Sequence, residues 1–300
     1  MILCDTHADT LTAMAFNTKP KPDITFDSAK TGKVNLQVFA LWSGENPTNE
    51  NIEKRMHAQY QAGQQLLDHG WIQLENIAEI TQHSTAFIYS IEGCEIFNDS
   101  IDPISSWYEK GVRMAGITWN YENKLGSPAK NGSSQGLTAY GVKAVKEMQQ
   151  LGIAVDTSHL NEQGFYDIFL KTNLPPLASH SCCNSLCSHF RNLTDEQIRL
   201  LISQNGYIGI NFYPCFLSES GQASIDTIID HIAYVCDLGG ENHVGFGSDF
   251  DGIELYPTDI TGPEHFPLLL EKMIQRGFSK ESVEKIAGLN FINYYKRIVI

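Results

Sequence analysis

Residues 2–10 read ILCDTHADT, an apolar run whose second half carries Asp5, His7 and Asp9 at alternate positions. Side chains two residues apart on a β-strand point to the same face, so these three ionisable groups share one side of a strand-like run. That side either meets solvent or serves a function. The same design returns along the chain, and its repetition predicts both the fold and the place of a functional site.

Seven further apolar runs follow, and each is nearly continuous rather than alternating. They lie at residues 34–42, 85–93, 113–120, 152–159, 175–181, 206–214 and 243–252. Continuous apolar runs are typical of parallel strands that are buried on both faces. Stretches with helical periodicity separate most of the runs or follow the last one, and they include 49–68, 138–150, 193–203 and 279–292.

Eight β-then-α units in 300 residues predict an α/β protein, a (β/α)8 TIM barrel with a single domain over residues 1–300. The alternative is an open, doubly wound sheet. No GxGxxG follows the first run and no GxxxxGK[ST] occurs in the chain, so the nucleotide-binding forms of that alternative lack support. The Gly-, Ser- and Asn-rich stretch 121–137 predicts a long loop beside the site.

Composition excludes several function classes. The formal net charge of −14, from 21 basic and 35 acidic residues, argues against binding of nucleic acid. No apolar run approaches the ~18 residues of a membrane-spanning helix, and no secretory signal precedes the first run, so we expect a cytoplasmic protein without a membrane partner. The seven cysteines form no CxxC pair, and we expect free thiols.

Ionisable residues gather at the carboxyl ends of the runs, which in a parallel barrel all face the same mouth. Five of them are His7, Asp9, Glu92, His159 and His180. Taken singly, each histidine is explained better by packing or solvation. Taken together, imidazole nitrogens and carboxylate oxygens suit zinc or a related divalent ion. Five ligands exceed one closed tetrahedral site, and two ions about 3.5–4 Å apart with a bridging carboxylate would account for the surplus.

Other polar residues near these ends have weaker signals. Asp249 and Asp251 follow the last run; by alternation we expect Asp249 to face the mouth as a general acid or base, and Asp251 to serve the turn. Asp5 and Asp156 either hold ligand imidazoles or are structural acids, with equal support for both interpretations. Arg191, in the loop after the sixth run, is either a clamp for a substrate carboxylate or a solvated loop residue.

Motifs spread along the whole chain are similar to those of the membrane (renal) dipeptidase family, which comprises zinc dipeptidases on a (β/α)8 barrel. The matching motifs, in order, are DTHADT (5–10), IEG (91–93), GLTAYG (136–141), DTSH (156–159), SHS (179–181), RNLTDEQI (191–198), INFYP (210–214) and GSDFDG (247–252). The resemblance implies a metallopeptidase, a hydrolase that binds two Zn²⁺ ions per subunit and acts on a dipeptide-like substrate. Members of the family often form homodimers.

The resemblance also implies a metal-ligand set. His7 and Asp9 match the ligands of the first zinc, and His159 and His180 match those of the second. Glu92 matches the carboxylate that bridges both ions. These are the same five residues to which the strand-end argument leads.

Three further positions complete the comparison with the family. Asp249 matches the acid that handles the proton of the attacking water, and Arg191 matches the arginine that holds the C-terminal carboxylate of the dipeptide. One position departs: in GITWNYEN, Trp119 stands where members such as the animal enzymes carry a histidine near the scissile carbonyl. Tryptophan donates one N–H bond and does not titrate, so we interpret Trp119 as a substrate-binding residue that either donates to a carbonyl oxygen or shapes an apolar pocket.

The sequence therefore predicts a binuclear zinc dipeptidase, with L,D-dipeptides among its substrates. Two alternatives stay open. Trp119 is compatible with a metal-dependent hydrolase of another amide, a lactam or an ester. A metal-binding pseudo-enzyme is the other alternative, and the complete ligand set together with Asp249 argues against it.

Overall fold

A computed structural model describes residues 1–45, 49–130 and 132–298. Within these residues one parallel sheet forms, and eight of its strands close into a barrel. Their bounds are Cys4–Ala8 (β1), Leu36–Trp42 (β2), Ala86–Glu92 (β3), Val112–Gly116 (β4), Ala154–Asp156 (β5), Leu177–Ala178 (β6), Tyr207–Ile210 (β7) and Val244–Phe246 (β8). Seven of the strands lie inside predicted runs, and β4 begins one residue before the run 113–120. The predicted (β/α)8 barrel is confirmed.

Strand order follows chain order around the barrel, and the ring closes between its last and first strands. Asp5 of β1 pairs with Phe246 of β8, while Cys4 pairs with Leu36 of β2. A further two-residue strand, Ile72–Gln73, pairs with Ala86 and Phe87 at the start of β3. It lies on the same edge of β3 that pairs with β4 from Tyr89 onward. All carboxyl ends therefore face one mouth, as the parallel arrangement requires.

The observed strands are shorter than the runs that predict them because the polar tails leave the sheet. In the run 175–181, only Leu177 and Ala178 are in strand conformation. The next backbone N–H groups bond to side chains instead: Ser179 donates to Asp156 Oδ1 at 2.9 Å, and His180 donates to Ser158 Oγ at 3.1 Å. At the mouth, side-chain oxygens thus accept the backbone N–H groups that would otherwise bond to the neighbouring strand.

Helices pack outside the barrel and cover its apolar outer face. Their bounds are Thr10–Phe16, Phe26–Thr31, Asn49–Asp68, Pro103–Glu109, Ala139–Gln150, Glu162–Lys171, Asp195–Ser203, Pro214–Leu217, Ile225–Val235, Phe266–Gln275, Lys280–Glu284 and Asn290–Tyr295. Thr194 forms a capping box with Gln197, and Ser279 Oγ accepts the N–H of Ser282 at 3.0 Å. Across the described residues, no helix combines the length and apolarity needed to cross a bilayer.

The predicted helix 279–292 is interrupted by a π-helical turn over Lys285–Leu289. Gly288 lies in this turn, where a Cβ atom would come within 2.6 Å of the backbone oxygen of Ile2 and 3.0 Å of Cys4 Sγ. The glycine lets the last helical segment approach β1 closely, and the widened turn accommodates that approach. Sequence periodicity alone does not reveal such a contact.

The amino end of the barrel is filled by side chains and closed by the last helix. Tyr207 from β7 is buried together with Tyr294 and Tyr295 from that helix. The hydroxyl of Tyr294 donates to the Pro175 carbonyl at 3.0 Å, and that of Tyr295 donates to the Gly152 carbonyl at 3.1 Å. Buried tyrosines with paired hydroxyls make a stable plug, so access to the barrel interior is confined to the opposite, carboxyl-end mouth.

The loop predicted over 121–137 follows β4, apart from Asn131, which lies outside the described residues. Pro128 forms an isolated bridge with Leu160, and the N–H of Ala129 donates to the carbonyl of His159 at 2.8 Å. These contacts bring Lys130 to the cavity at the mouth. The seven cysteines are free thiols, as expected.

Candidate metal centre

Glu92, the last residue of β3, lies at the centre of the mouth with its two carboxylate oxygens facing different histidines. Oε2 is 3.7 Å from His7 Nε2, and Oε1 is 3.0 Å from His159 Nε2 and 3.7 Å from His180 Nε2. Glu92 is 6% exposed, so bulk water does not solvate this carboxylate freely. One buried carboxylate thus connects two groups of nitrogen atoms.

The first group comes from the end of β1. His7 Nε2 lies 3.4 Å from Asp9 Oδ2 and 3.7 Å from Asp249 Oδ1. One ligand atom from each of these three residues lies within 4.8 Å of the others. The predicted HxD pair therefore converges on one point, joined by Asp249 from the loop after β8.

The second group joins the ends of β5 and β6. His159 Nε2 and His180 Nε2 are 3.1 Å apart, and one oxygen of Glu92 completes a set within 4.8 Å. The ring of His180 also stacks on that of His7, with centroids 3.7 Å apart. The two groups are therefore adjacent and share Glu92.

Several buried atoms of this cluster have no hydrogen-bond partner among the described residues. They are His7 Nδ1, His7 Nε2 and Asp9 Oδ1. Buried polar atoms are almost always paired in folded proteins, so unpaired ones in a cluster indicate that a ligand belongs there. The donor set of imidazole nitrogens and carboxylate oxygens fits a divalent cation such as zinc.

Electrostatics lead to the same conclusion. Burial, followed by the charge of Asp9, raises the pKa of Glu92 well above its usual range. Burial also holds the pKa values of His159 and His180 well below the usual range, which favours the neutral, metal-ligating form. For His7, burial likewise lowers the pKa, but the carboxylates of Glu92 and Asp9 outweigh it and raise the pKa to about 10. Carboxylates crowded in a buried space repel each other, and a divalent cation would offset that repulsion.

Neighbouring side chains orient the imidazoles of the second group. Ser179 Oγ donates to Asp156 Oδ2 and lies 2.7 Å from His180 Nδ1. Asn120 Oδ1 lies 3.2 Å from His159 Nδ1. Asp156 thus reaches a ligand imidazole through Ser179, whereas the sequence had left its role open. Sequence reasoning missed Asn120, although it ends the fourth predicted run in the same way as the ligands end theirs.

Asp5 lies one layer deeper in the barrel. Its Oδ1 accepts the backbone N–H of Ser248 at 2.8 Å, and Oδ2 accepts the Ser248 hydroxyl at 2.6 Å and Gln37 Nε2 at 3.1 Å. Both oxygens are paired with groups other than His7. Of the two interpretations left open by the sequence, the structural one describes Asp5.

Asp249 and Asp251 both adopt left-handed backbone conformations, with φ values of 64° and 67°, yet their side chains serve different regions. Asp249 Oδ2 accepts Asn211 Nδ2 at 2.9 Å while Oδ1 faces His7. Burial raises the pKa of Asp249 to about 6. Asp251 turns away, accepting the Thr10 hydroxyl at 2.6 Å. Asp249 thus directs one oxygen to the cluster and Asp251 bonds within the turn, as predicted, although Asp251 also contributes to the lining of the cavity at the mouth.

Arg191 is 4% exposed and lies beside the second group. Its Nη2 donates to the His180 carbonyl at 3.4 Å, and Phe216 lies beneath the guanidinium at 5.5 Å. Nε and Nη1 have no partner among the described residues. Burial lowers the pKa of Arg191 to about 10, so the group keeps its charge at neutral pH. A buried arginine with two unpaired donor atoms is suited to an anion, and a carboxylate matches its planar geometry.

Asp9, Glu92, His159, Arg191 and Asp249 line one cavity of about 480 Å³, while His7 and His180 lie behind its lining. Trp119 lies on its wall, with its ring 6.2 Å from that of His159. Two wall residues escaped sequence reasoning: Trp42, which ends an apolar run like any buried residue, and His189, whose Nδ1 accepts the N–H of Arg191 at 3.2 Å. A cavity of this size holds a ligand of a few residues at most.

Comparisons with known proteins place this geometry in a family. A sequence profile described as membrane dipeptidase, peptidase family M19, matches residues 1–298. A Klebsiella pneumoniae protein described as "Uncharacterized protein in pqqA 5'region" is 34% identical over 223 residues, covering 71% of this chain and 82% of that protein. An uncharacterized dipeptidase of Schizosaccharomyces pombe is 33% identical over 219 residues, and the match covers 71% of this chain but 53% of that relative.

A solved structure shares the fold. A metallo peptidase from Rhodobacter sphaeroides, liganded with a phosphinate mimic of the dipeptide L-Ala-D-Ala, superposes with a TM-score of 0.87 at 23% identity over 99% of both chains. At this identity the likeness shows the barrel architecture. The family resemblance in the sequence and the prediction of a hydrolase of peptide bonds are confirmed by the profile match: the chain belongs to the membrane dipeptidase family, peptidase family M19.

Proposed function

We propose that the protein is a binuclear zinc dipeptidase that hydrolyses the peptide bond of dipeptides, including L,D-dipeptides. The observation that carries the proposal is the position of Glu92, whose two oxygens face two separate groups of histidines at 3.0–3.7 Å. Under this proposal His7 and Asp9 would hold one ion, His159 and His180 would hold the other, and Glu92 would contribute an oxygen to each. Zinc ions, when bound, supply Lewis acidity and activate water at neutral pH.

Arg191 orients the substrate in this proposal. Its unpaired Nε and Nη1 bind the C-terminal carboxylate of the dipeptide, and its burial strengthens that ion pair. The guanidinium also lies next to the His180 carbonyl, so the anchored carboxylate sits beside the second histidine group. Short substrates with a free carboxylate are thereby favoured over internal peptide segments.

Asp249 handles the proton. Its Oδ1 faces the cluster and its Oδ2 is held by Asn211, so the carboxylate presents one free oxygen to the attacking water. A pKa of about 6 lets Asp249 take a proton from the water and release it to the leaving amine near neutral pH. Carboxylate and amine then leave as the two product amino acids.

Glu92→Gln tests the proposal because it keeps the shape of the side chain and removes the charge. The expected result is a loss of zinc, from two ions per chain to one or fewer, and a fall in kcat/KM for dipeptides of at least ~10³-fold. Zinc content is measured by elemental analysis after dialysis, and kcat/KM on a panel of L,L- and L,D-dipeptides. Glu95→Gln is the matched control: Glu95 is similarly buried, three residues away, and bonded to Asn123 outside this cavity.

Other outcomes would point elsewhere. Two bound zinc ions with hydrolysis of an amide, lactam or ester but of no dipeptide would favour the alternative substrate class that Trp119 keeps open. Full zinc content without turnover of any of these compounds would favour a metal-binding pseudo-enzyme. An active Glu92→Gln variant with two zinc ions would contradict the bridging role.

A further inference from the structure

Two tryptophans from different strand ends meet at the rim of the cavity. Trp42 is the last residue of β2, and Trp119 follows β4. Their rings pack edge to face with centroids 4.9 Å apart, and both line the cavity. Edge-to-face pairs of this kind are stable and leave apolar ring surface available to a third group. The pair forms a half-buried aromatic wall next to the metal centre.

Trp42 is fixed from behind by groups that do not line the cavity. Its backbone N–H donates to Gln59 Oε1 at 2.9 Å, and its carbonyl accepts Gln59 Nε2 at 2.8 Å and Arg55 Nε at 3.1 Å. The Arg55 guanidinium lies 4.4 Å from the centroid of the Trp42 ring. Gln59 is fully buried and is itself held by the hydroxyl of Thr12 at 2.9 Å. This backing preorganises the wall, so a ligand that contacts it loses little free energy to ordering the protein.

The wall lies across the mouth from Arg191. Trp42 is paired in register with Glu92 of β3, and Trp119 follows the next strand, so the wall spans the ends of β2 to β4. Arg191 follows β6 and Phe216 follows β7, on the other half of the ring. A dipeptide is at most about 7 Å long. With its carboxylate on Arg191 and its peptide bond over Glu92, its N-terminal residue reaches the half of the mouth that carries the wall.

We propose that Trp42 and Trp119 form the subsite for the N-terminal side chain of the dipeptide and select flat apolar or aromatic side chains there. The proposal rests on the proposed function and adds the substrate class. Side chains of either charge are disfavoured in this subsite. Arg55 against Trp42 and Lys130 on the cavity lining repel a cation, while Glu45 on the same lining repels an anion, and the two indole rings offer neither charge a hydrogen-bond partner.

The test measures selectivity on the zinc-loaded protein. One dipeptide series varies the N-terminal residue before a constant alanine (Phe, Leu, Gly, Lys, Asp), and a second series varies the C-terminal residue after a constant alanine. The expected ratio of kcat/KM for Phe-Ala to that for Gly-Ala is at least about tenfold in the unaltered protein and falls by about tenfold in Trp119→Ala. Tyr121→Ala is the matched control, because Tyr121 packs on Trp119 at 5.8 Å but is 39% exposed and does not line the cavity.

A binding measurement separates selectivity from turnover. Calorimetric titration with phosphinate dipeptide mimics that carry either a benzyl group or hydrogen at the N-terminal position should show the same ratio of dissociation constants and the same loss in Trp119→Ala. Trp119→Phe keeps an aromatic ring and should retain most of the preference. If Trp119→Ala does not fold, this second variant and Trp119→Leu, compared on the same ratio, decide the question.

The outcomes distinguish this subsite from the proposed function. No hydrolysis of any dipeptide contradicts the proposed function itself. Hydrolysis without a preference at the N-terminal residue, a preference that follows the C-terminal residue instead, or an unchanged ratio in Trp119→Ala overturns the subsite while leaving the dipeptidase intact.

Discussion

The barrel interior and the barrel mouth contain the same residue types at the same depth of burial, but their carboxylates differ in hydrogen bonding. In the interior, both oxygens of Asp5 and both oxygens of Asp156 accept hydrogen bonds from backbone and side-chain donors. At the mouth, Asp9 Oδ1 and both ring nitrogens of His7 have no partner among the described residues. Burial alone therefore does not distinguish the interior acids Asp5 and Asp156 from Asp9 at the mouth; the hydrogen bonding of their oxygens does.

Asp249 and Asp251 repeat this contrast within three residues of one loop. Both have positive φ and both are largely buried, but Asp251 is saturated by Thr10, by the backbone N–H of Asp23 at 2.9 Å and by Lys19 at 3.3 Å. Asp249 keeps one oxygen for the cluster. The hydrogen bonds and ion pair of Asp251 connect its side chain to the N-terminal segment. Asp249 keeps one carboxylate oxygen without such a bond, and that oxygen is available for chemistry.

The largest expected effect comes from Asp249→Asn. Asparagine tolerates the left-handed conformation, so the backbone is preserved while the group that moves the proton is lost. We expect kcat/KM for dipeptides to fall about 10²–10⁴-fold with zinc content retained. The measurement is steady-state hydrolysis of the same dipeptide panel, paired with elemental analysis.

Asp251→Asn is the comparison that sharpens this result. Its side chain serves the turn, so its effect on kcat/KM should stay below tenfold, and its effect should appear in the melting temperature instead. A larger loss of activity in Asp251→Asn than in Asp249→Asn would reverse the roles assigned to the two aspartates.

Sequence patterns predict the strands and the cluster of ionisable residues at the mouth because both depend on local order: apolar runs make strands, and ionisable residues at their ends face one mouth. They do not predict which polar atoms are paired. Asp5 is paired by Ser248, 243 positions away along the chain, and only closure of the ring brings them together. The sequence does not identify Trp42 as a site residue for another reason. Its indole continues an apolar run, and its place in the cavity wall depends on contact with Trp119, which follows a different strand.

The interior should respond to mutation in stability rather than in activity. Asp5→Ala leaves the buried backbone N–H of Ser248 without an acceptor, and leaves the Ser248 hydroxyl and the Gln37 amide with only longer bonds of 3.3–3.4 Å to backbone carbonyls. We expect the free energy of unfolding to fall by about 3 kcal/mol. Glu92→Gln should do the opposite in the metal-free protein. Burial raises the pKa of Glu92, so ionising this carboxyl costs the folded state stability, and the neutral amide, which cannot ionise, should leave stability unchanged or raise it by about 1 kcal/mol.

Urea denaturation of both variants after removal of metal with a chelator provides the measurement. Equal losses of stability in the two variants would show that the mouth carboxylate is as well satisfied as the interior one. That result would remove the distinction between the two regions.

The smallest expected effect of a mutation lies at the boundary between the barrel interior and the mouth. There Ser179 connects Asp156, whose oxygens are all hydrogen-bonded, to His180, a predicted metal ligand. Ser179→Ala removes the oxygen that orients the imidazole but no ligand atom, so we expect zinc affinity to fall about 10–100-fold with the fold intact. Competition with a fluorescent chelator measures the affinity. Ser181→Ala is the matched control, because Ser181 is equally buried two residues further on and its hydroxyl has no partner among the described residues. If both variants bound zinc equally well, Asp156 would belong wholly to the interior and the mouth would hold its imidazoles without help from below.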